Sequence, residues 1–429
     1  MKSYLNTYFD NFRGFSREVW VLTLITFINR AGAMVMLFLT KYMHENLFFS
    51  LNQIGWMLVC IGVGALFGNW LGGKLTDRLG FYTIMLASLF LTGFGIISLM
   101  FLYDFVEICV GLFIVTAIAD MYKPAMYVAV SNFTNKKNRT RALTLVRLAV
   151  NLGIVSGPII AGLVIQKDNY DMLFWIDGLT CVLAISIFML VIDESKIYKA
   201  RKKINRDREK EGVIEINRKA DISFIIFLFA SFLTAFLFFQ LFTTIPLYNS
   251  DKLKLDEFQI GLLLALNGLL IFLFEMPLIG FLEKTTAQPT KIILFGSVFM
   301  TSGFFFLLFS KSVPVLVISI FLITLGQILL FSFSNTFAFS RAVQGKEGKY
   351  MAFYAMSFSA AQILSPKVGF SVIEKFSYLS NWLLMGFIGL IAISLYYKLD
   401  KNIKFERIAK DLQKPTLISD LNNNIKKIA

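Results

Sequence analysis

The chain alternates between long apolar runs and short charged gaps, and this rhythm decides what it can fold into. Twelve apolar runs occur, at roughly 18–43, 51–76, 81–102, 105–132, 140–166, 171–193, 222–249, 257–281, 290–310, 314–340, 349–374 and 379–398. Each approaches or exceeds the ~20 residues a helix needs to cross the hydrocarbon core of a bilayer. In hydrocarbon the backbone must satisfy its own N–H and C=O groups, so such runs fold as spanning helices. The expected fold class is therefore an all-α membrane protein with twelve transmembrane helices. Composition agrees: 16% of residues are charged, against about 25% in soluble domains. With 46 phenylalanines among its apolar residues, the protein needs a lipid-facing surface.

A net charge of +14 invites a nucleic-acid reading, but the placement of the charges argues against that partner. Lys136, Lys137, Arg139 and Arg141 follow the fourth run, and the gap after the sixth holds ten further Lys and Arg between Lys196 and Lys219. Lys398, Lys401, Lys404, Arg407 and Lys410 lie at and beyond the end of the last run, while gaps 44–50 and 103–107 have no Lys or Arg at all. Basic residues stay on the cytoplasmic side, so both termini and the long middle gap are expected there, in a cytoplasmic-type inner membrane. Residues 1–17 lack a signal-peptide profile, and the first run reads as an uncleaved anchor. Cys60, Cys109 and Cys181 lie within apolar runs and read as small buried hydrophobes. With His44 the only histidine, neither a metal site nor a histidine-based catalytic centre is expected. No G-x-x-x-x-G-K-[ST] loop is present to bind ATP. The sequence therefore points to no cofactor, no metal, no catalytic residues and no enzyme.

The two halves repeat. Asn52-Gln53-Ile54-Gly55 sets over Phe258-Gln259-Ile260-Gly261 at a shift of 206, with Gly62 over Gly268 and Asp77-Arg78 over Glu283-Lys284. Gly157-Pro158 sets over Ser365-Pro366 at 208. Several matches near one offset suggest two repeated bundles, with a substrate site between them near the bilayer midplane. The expected organisation is a first six-helix bundle in 1–193, a cytoplasmic linker in 194–221, a second six-helix bundle in 222–398 and a cytoplasmic tail in 399–429.

The turn between the second and third runs reads Gly72-Gly73-Lys74-Leu75-Thr76-Asp77-Arg78-Leu79-Gly80. With six-plus-six spans and a basic middle gap, it resembles the G-G-x-L-x-D-R-x-G-R-R motif of the major facilitator superfamily, departing from it at Phe81-Tyr82. The resemblance covers roughly 15–400. It implies the major facilitator fold and a cytoplasmic latch built from Gly72, Gly73, Asp77, Arg78 and Gly80. In that latch Asp77 accepts from the start of the eleventh span, near Lys349. Gly153, Gly157, Pro158 and Gly162 in the fifth span resemble the G-x-x-x-G-P-x-x-G-G element of proton-driven exporters, with Ala161 replacing a glycine. They read as a helix hinge or a tight crossing. A partial resemblance to the proton-coupled oligopeptide transporters rests on Asn29-Arg30-Ala31-Gly32, Lys123-Pro124, Asn151-Leu152-Gly153, Gln240 and Thr324-Leu325-Gly326-Gln327. The two glutamates expected before Arg30 are absent.

Charges inside spans mark function, because each costs roughly 2.5–3.5 kcal/mol there. The candidates are Arg30, Asp120, Lys123, Arg147 and Glu275. Asp120 and Lys123 share a helix face, and Asp120 is also open to pairing with Arg147 or Arg30. Glu275 has no cation on its own helix and is the cleaner proton carrier. Asn29, Asn151, Gln240, Asn267 and Gln327 join helices or line a polar cavity. Phe236, Phe238, Phe239, Tyr248, Phe331, Phe333, Phe337, Phe353 and Tyr354 form a candidate aromatic wall. The expected function is a monomeric secondary transporter of small organic molecules, proton-coupled, working by alternating access and leaning to efflux of amphipathic compounds. The alternatives are uptake of peptides or similar solutes, and a receptor or scaffold that moves nothing.

Overall fold

The computed structural model describes residues 12–36, 39, 42–43, 46–135, 137–165, 170–193, 221–255, 257–285, 287–309, 312–343 and 345–412. His44, Lys136, the linker 194–220 and the tail beyond 412 lie outside the described residues. Within them the chain is helical, with no strand. Its helices are α1 (Arg17–Gly32), α2 (Leu51–Leu79), α3 (Phe81–Leu99), α4 (Phe105–Asp120), α5 (Tyr122–Asn132), α6 (Arg139–Ile165) and α7 (Asp171–Val191) in the first half. The second half holds α8 (Ile222–Gln240), α9 (Thr244–Asp251), α10 (Glu257–Glu283), α11 (Pro289–Leu307), α12 (Val313–Arg341), α13 (Glu347–Lys375) and α14 (Tyr378–Leu412). α4 with α5, and α8 with α9, each fill one expected run.

Nine of the described segments are long and apolar enough to cross a membrane. α1 and α13 are not among them, because α1 stops after sixteen residues and α13 carries charges at both ends. α1 packs between α6 and α7, α6 against α10 and α12, and α13 against α2 and α8. Large apolar side chains instead cover the outside, among them Trp56, Phe94, Leu190, Phe295 and Phe387.

Local chemistry sets the ends. Ser50 and Gln53 form a reciprocal capping box that starts α2. Asp104 and Asp221 cap α4 and α8 by accepting from Val106 N and Phe224 N. α2 and α3 join through Gly80 alone, at φ +96°, a conformation that an L side chain rarely adopts.

α2 carries two working faces. Gly64, Gly68 and Gly72 recur every fourth residue against the backbone of α4 and α5, at Phe113, Ala117 and Met121. Small residues at this spacing let helix backbones touch. The second face meets α13 in the other half: Gly62 faces Ile363, Asn69 reaches Ser359, and Gly73 lies on Gly348 and Ala352. Adjacent glycines thus serve different partners, Gly72 within its own half and Gly73 across to the other.

Three expected spans are interrupted. The first breaks after Gly32, where Ala33 leaves helical geometry at ψ 62°. The fourth changes course at Met121 and the seventh between Gln240 and Thr244. The last span, expected to end near 398, continues as one helix to Leu412. Its extension is tied down: Arg341 at the end of α12 binds Asp221 and Glu406, and Thr290 bonds Asp400.

Candidate functional site

Hydrogen bonds joining residues before 194 to residues after 220 run along one end of the molecule and through its middle. At that end Asp77, in the last turn of α2, accepts from Gly348 N at 2.6 Å and Lys349 N at 2.9 Å. These are the second and third residues of α13, whose free N–H groups and dipole favour an anion. Arg78 is exposed on the same turn. Glu283, in the last turn of α10, accepts from Arg141 N at 3.0 Å near the start of α6, with the Arg141 guanidinium 4.0 Å away. Thr336 donates to Thr140 at 2.9 Å, and Arg139 lies over the Phe339 ring. Asp77 and Glu283 are repeat mates, and each seats on the first turn of a helix in the opposite half. At the opposite end Gly55 and Gly261, also repeat mates, have nothing within 4 Å of where a side chain would begin.

In the middle, Arg147 of α6 pairs with Glu275 of α10. Glu275 is 0% exposed. Its Oε1 also accepts from Ser332, and Arg147 donates to the Gln327 carbonyl oxygen. Asn267 then donates to Gln327 Oε1 at 3.1 Å and to Thr324 Oγ1 at 2.7 Å. One polar network thus spans α6, α10 and α12. Within it Glu275 Oε2, Arg147 Nε and the neighbouring Asn151 Nδ2 are buried without a hydrogen-bond partner among the described residues. The sequence expectation that Glu275 has no cation holds for its own helix; the cation comes from the other half. Pro277, two residues on, removes a backbone bond next to Glu275.

Asp120 takes its cation locally. Lys123 donates to it at 2.8 Å, and Asn69 donates both to Asp120 at 3.1 Å and to Ser359 of α13 at 3.2 Å. Among the described residues neither Arg147 nor Arg30 forms an ion pair with it. Arg30 lies in the last turn of α1, and its backbone rests on Gly153 of α6. Asn29 donates to Cys181 Sγ of α7. Gln240 lies apart, at the break between α8 and α9, where it donates to Ser365 of α13 and accepts from Thr244 and Asn381. The structure therefore gathers Arg147, Glu275, Gln327 and, beside them, Asn151. It leaves Asp120–Lys123, Asn29–Arg30 and Gln240 as separate groups.

α6 runs unbroken through Gly157, Pro158 and Gly162. The close crossing on this helix is at Gly153, against Arg30 and Ala31. The aromatic wall forms in the second half: Phe238, Phe331, Phe358, Tyr354 and Phe227 follow one another with ring centroids 5.0–5.7 Å apart. The Arg147 guanidinium lies 5.8 Å from the Phe331 ring. An apolar groove of about 350 Å³ runs between α10 and α12, lined by Phe274, Pro277, Phe281, Phe321 and Thr324, with its three phenylalanines exposed. Thr324 belongs also to the polar network.

Several residues of these groups escaped sequence reasoning. Asn69, Ser332 and Ser359 give no signal in an apolar run until their partners are known. Asp177 was within reach, because it is a carboxylate inside the sixth run and the rule that selected Glu275 selects it too.

Residues 19–366 match the Major Facilitator Superfamily. An uncharacterised MFS-type transporter of Bacillus subtilis, YttB, is 25% identical over 408 residues, covering 94% of this chain and 99% of its own. The Na⁺, Li⁺, K⁺/H⁺ antiporter of Planococcus maritimus is 19% identical over 372 residues, covering 79% and 85%. Among solved structures, the human organic anion transporter MFSD10 superposes with a TM-score of 0.71 at 14% identity, over 89% of this chain and 99% of its own. A bacterial homologue of the iron transporter ferroportin, in an outward-facing state, gives 0.70 at 16%, over 90% and 100%. With the apolar helices, the repeated halves and a family match over most of its length, this chain is a multi-pass membrane protein belonging to the Major Facilitator Superfamily of transporters.

Proposed function

We propose that this protein is a proton-coupled secondary transporter that expels small amphipathic organic molecules by alternating access. The observation that carries the reading is the buried Arg147–Glu275 pair. It joins helices of the two halves; Glu275 lies eight residues, about 12 Å, and Arg147 six residues, about 9 Å along its helix, from the Arg141–Glu283 contact. Removing one partner of a buried pair costs about 3–5 kcal/mol. Protonation of Glu275 removes the anion and loosens the seal between α6 and α10. Release of the proton restores it.

The remaining topology belongs to the same proposal. Twelve spans form two six-helix bundles, 1–193 and 222–398, joined by a linker at 194–221 and followed by a tail at 399–429. Both termini and the latched end are cytoplasmic, because Lys137, Arg139 and Arg141 cluster there. Gly55 and Gly261 then line an outward opening, and the described state is outward-facing. The protein works as a monomer in the cytoplasmic membrane. The site unites Arg147, Glu275, Asn151 and Gln327, with Arg30, Asp120 and Lys123 along the pathway. Gly153, Gly157, Pro158 and Gly162 let α6 pivot, and Asp77 with its glycines latches the closed end. An aromatic wall beside the ion pair, and an apolar groove that Thr324 helps to line, support an amphipathic cargo.

The test is flux from proteoliposomes under an imposed pH gradient, using a fluorescent amphipathic dye. Wild-type flux should follow the gradient. Glu275→Gln should lose gradient-driven flux while cargo still binds, measured by thermal stabilisation. Flux indifferent to both gradient and substitution would overturn the proton relay. A second cargo reading, alkali cations, has support from the relative named as a Na⁺, Li⁺, K⁺/H⁺ antiporter. Proton efflux on adding K⁺ or Na⁺ without dye would favour it. Stabilisation by dipeptides would point to peptide uptake, and no flux of any solute to a receptor.

A further inference from the structure

The break in the first span is held by an acid that the inner ion pair does not use. After Gly32 the chain leaves the helix; Met34 N turns back to the Gly32 carbonyl oxygen at 2.6 Å, and Asp177 of α7 accepts from Val35 N at 3.3 Å. Irregular backbone at membrane depth persists only where its polar groups find partners, and Asp177 supplies one for Val35. Two further contacts seat the same break on α7: Asn29 bonds Cys181, and Gly32 packs so closely on Thr180 that any side chain there would overlap it. On the other side, Gly153 of α6 lies against Arg30 and Ala31. The break is therefore clasped between α6 and α7, and α6 carries Arg147 six residues away.

Asp177 is 2% exposed. Arg30 acts on it through space, but no ion pair within 4 Å joins them among the described residues. The groups facing Asp177 and Arg30 are few. α1 brings Arg30, α7 brings Cys181, and α5 brings Tyr122 and Tyr127, both of which feel Arg30. α3 meets this stretch of α7 with Gly93 and Ile97, neither titratable.

The repeat shows that the fold does not require a carboxylate here. Ala184-Ile185-Ser186 recurs as Ala392-Ile393-Ser394, and Gly178 as Gly386, both at a shift of 208. That register sets Asp177 over Met385. The matching break in the second half, between α8 and α9, is held by the neutral groups Gln240, Ser365, Thr244 and Asn381. Of two equivalent breaks, one is held by an ionisable group and the other is not.

We propose that Asp177 is a second proton-binding site, which fixes the break in the first span by a charge-assisted hydrogen bond from Val35 N when ionised and holds it more weakly when protonated. Its action is separate from that of Glu275: Glu275 closes the α6–α10 seam, while Asp177 sets the path of the first span. The two meet through α6 at Gly153. Because it concerns the first-span break alone, this inference stands even where Glu275 proves not to carry the transported proton.

The experiment measures the distance between spin labels at Gly55→Cys and Gly261→Cys, in the full chain with Cys60, Cys109 and Cys181 replaced by serine, in nanodiscs from acid to alkaline pH. Both label sites have open space. With Glu275→Gln a pH-driven shift in the distance should remain. Adding Asp177→Asn, whose amide oxygen still accepts from Val35 N but does not titrate, should abolish that remainder, and Asp177→Glu should restore it with a displaced midpoint. A flat distance in Glu275→Gln alone overturns the proposal, as does a remainder untouched by Asp177→Asn. Should Asp177→Asn fail to fold, Asp177→Glu decides alone, because an unmoved midpoint means that Asp177 is not the titrating group.

Discussion

The molecule closes one end twice, by related parts used differently. Asp77 and Glu283 occupy repeat positions, and each reaches the first turn of a helix in the opposite half. Around Asp77 the helices meet backbone to backbone, since Gly73 lies on the Gly348 carbonyl oxygen and the Ala352 methyl. At the shift of 206, Gly72-Gly73 becomes Leu278-Ile279. Ile279 is fully buried and keeps a side chain where α2 has none. The acid compensates: where the glycines permit contact it is the short Asp, accepting from two N–H groups, and where an isoleucine intervenes it is the longer Glu, accepting from one. The lesson is that carboxylate length and glycine content are one variable, the distance between helices. The first closure is set by fit, the second by reach.

This comparison can be broken in a graded way, using labelling of Thr140→Cys at the closed end as the reporter of opening. Gly73→Leu should have the largest effect. Its side chain overlaps the Gly348 carbonyl, overpacking costs roughly 1–3 kcal/mol, and labelling should rise by roughly five- to 150-fold. Asp77→Asn comes next. It keeps the shape and removes the charge from a helix start, an effect of up to about 2 kcal/mol and so up to roughly thirtyfold in labelling. Glu283→Asp should be milder. It retains the charge but falls short of Arg141 N, losing one hydrogen bond of about 0.5–1.5 kcal/mol. The sharpest check is the double exchange of Asp77→Glu with Glu283→Asp. If length and spacing are matched, both closures weaken although composition is unchanged. An exchange that leaves labelling at the wild-type rate would refute the match.

Much of the architecture could be read in advance because hydrocarbon imposes it residue by residue. Apolar runs, their spacing and the Asp77 turn all follow from local composition and motif. Two of the interruptions carry a local signal, since Pro124 and Pro246, each within a turn after its break, lack the N–H that would bond the Asp120 and Phe242 carbonyls. The first does not: nothing in Ala33 breaks a helix by propensity, and Val35 N finds its partner elsewhere, in Asp177. The same is true of the central pair. Arg147 and Glu275 each appear as lone charges in their own helices, and only the packing of α6 on α10 makes them partners.

Residue type and short spacing alone make this chain a membrane-embedded bundle of helices with a glycine-bearing charged turn, Gly72–Gly80, that resembles the superfamily's motif. Those properties depend on residue type and short spacings, which the solvent tests locally. The tertiary structure decided which charges neutralise which, which of two adjacent glycines faces the other half, and which acid holds the broken first span. Each of those depends on contacts between residues far apart in the chain, 128 positions in the case of Arg147 and Glu275. No local rule reports such contacts.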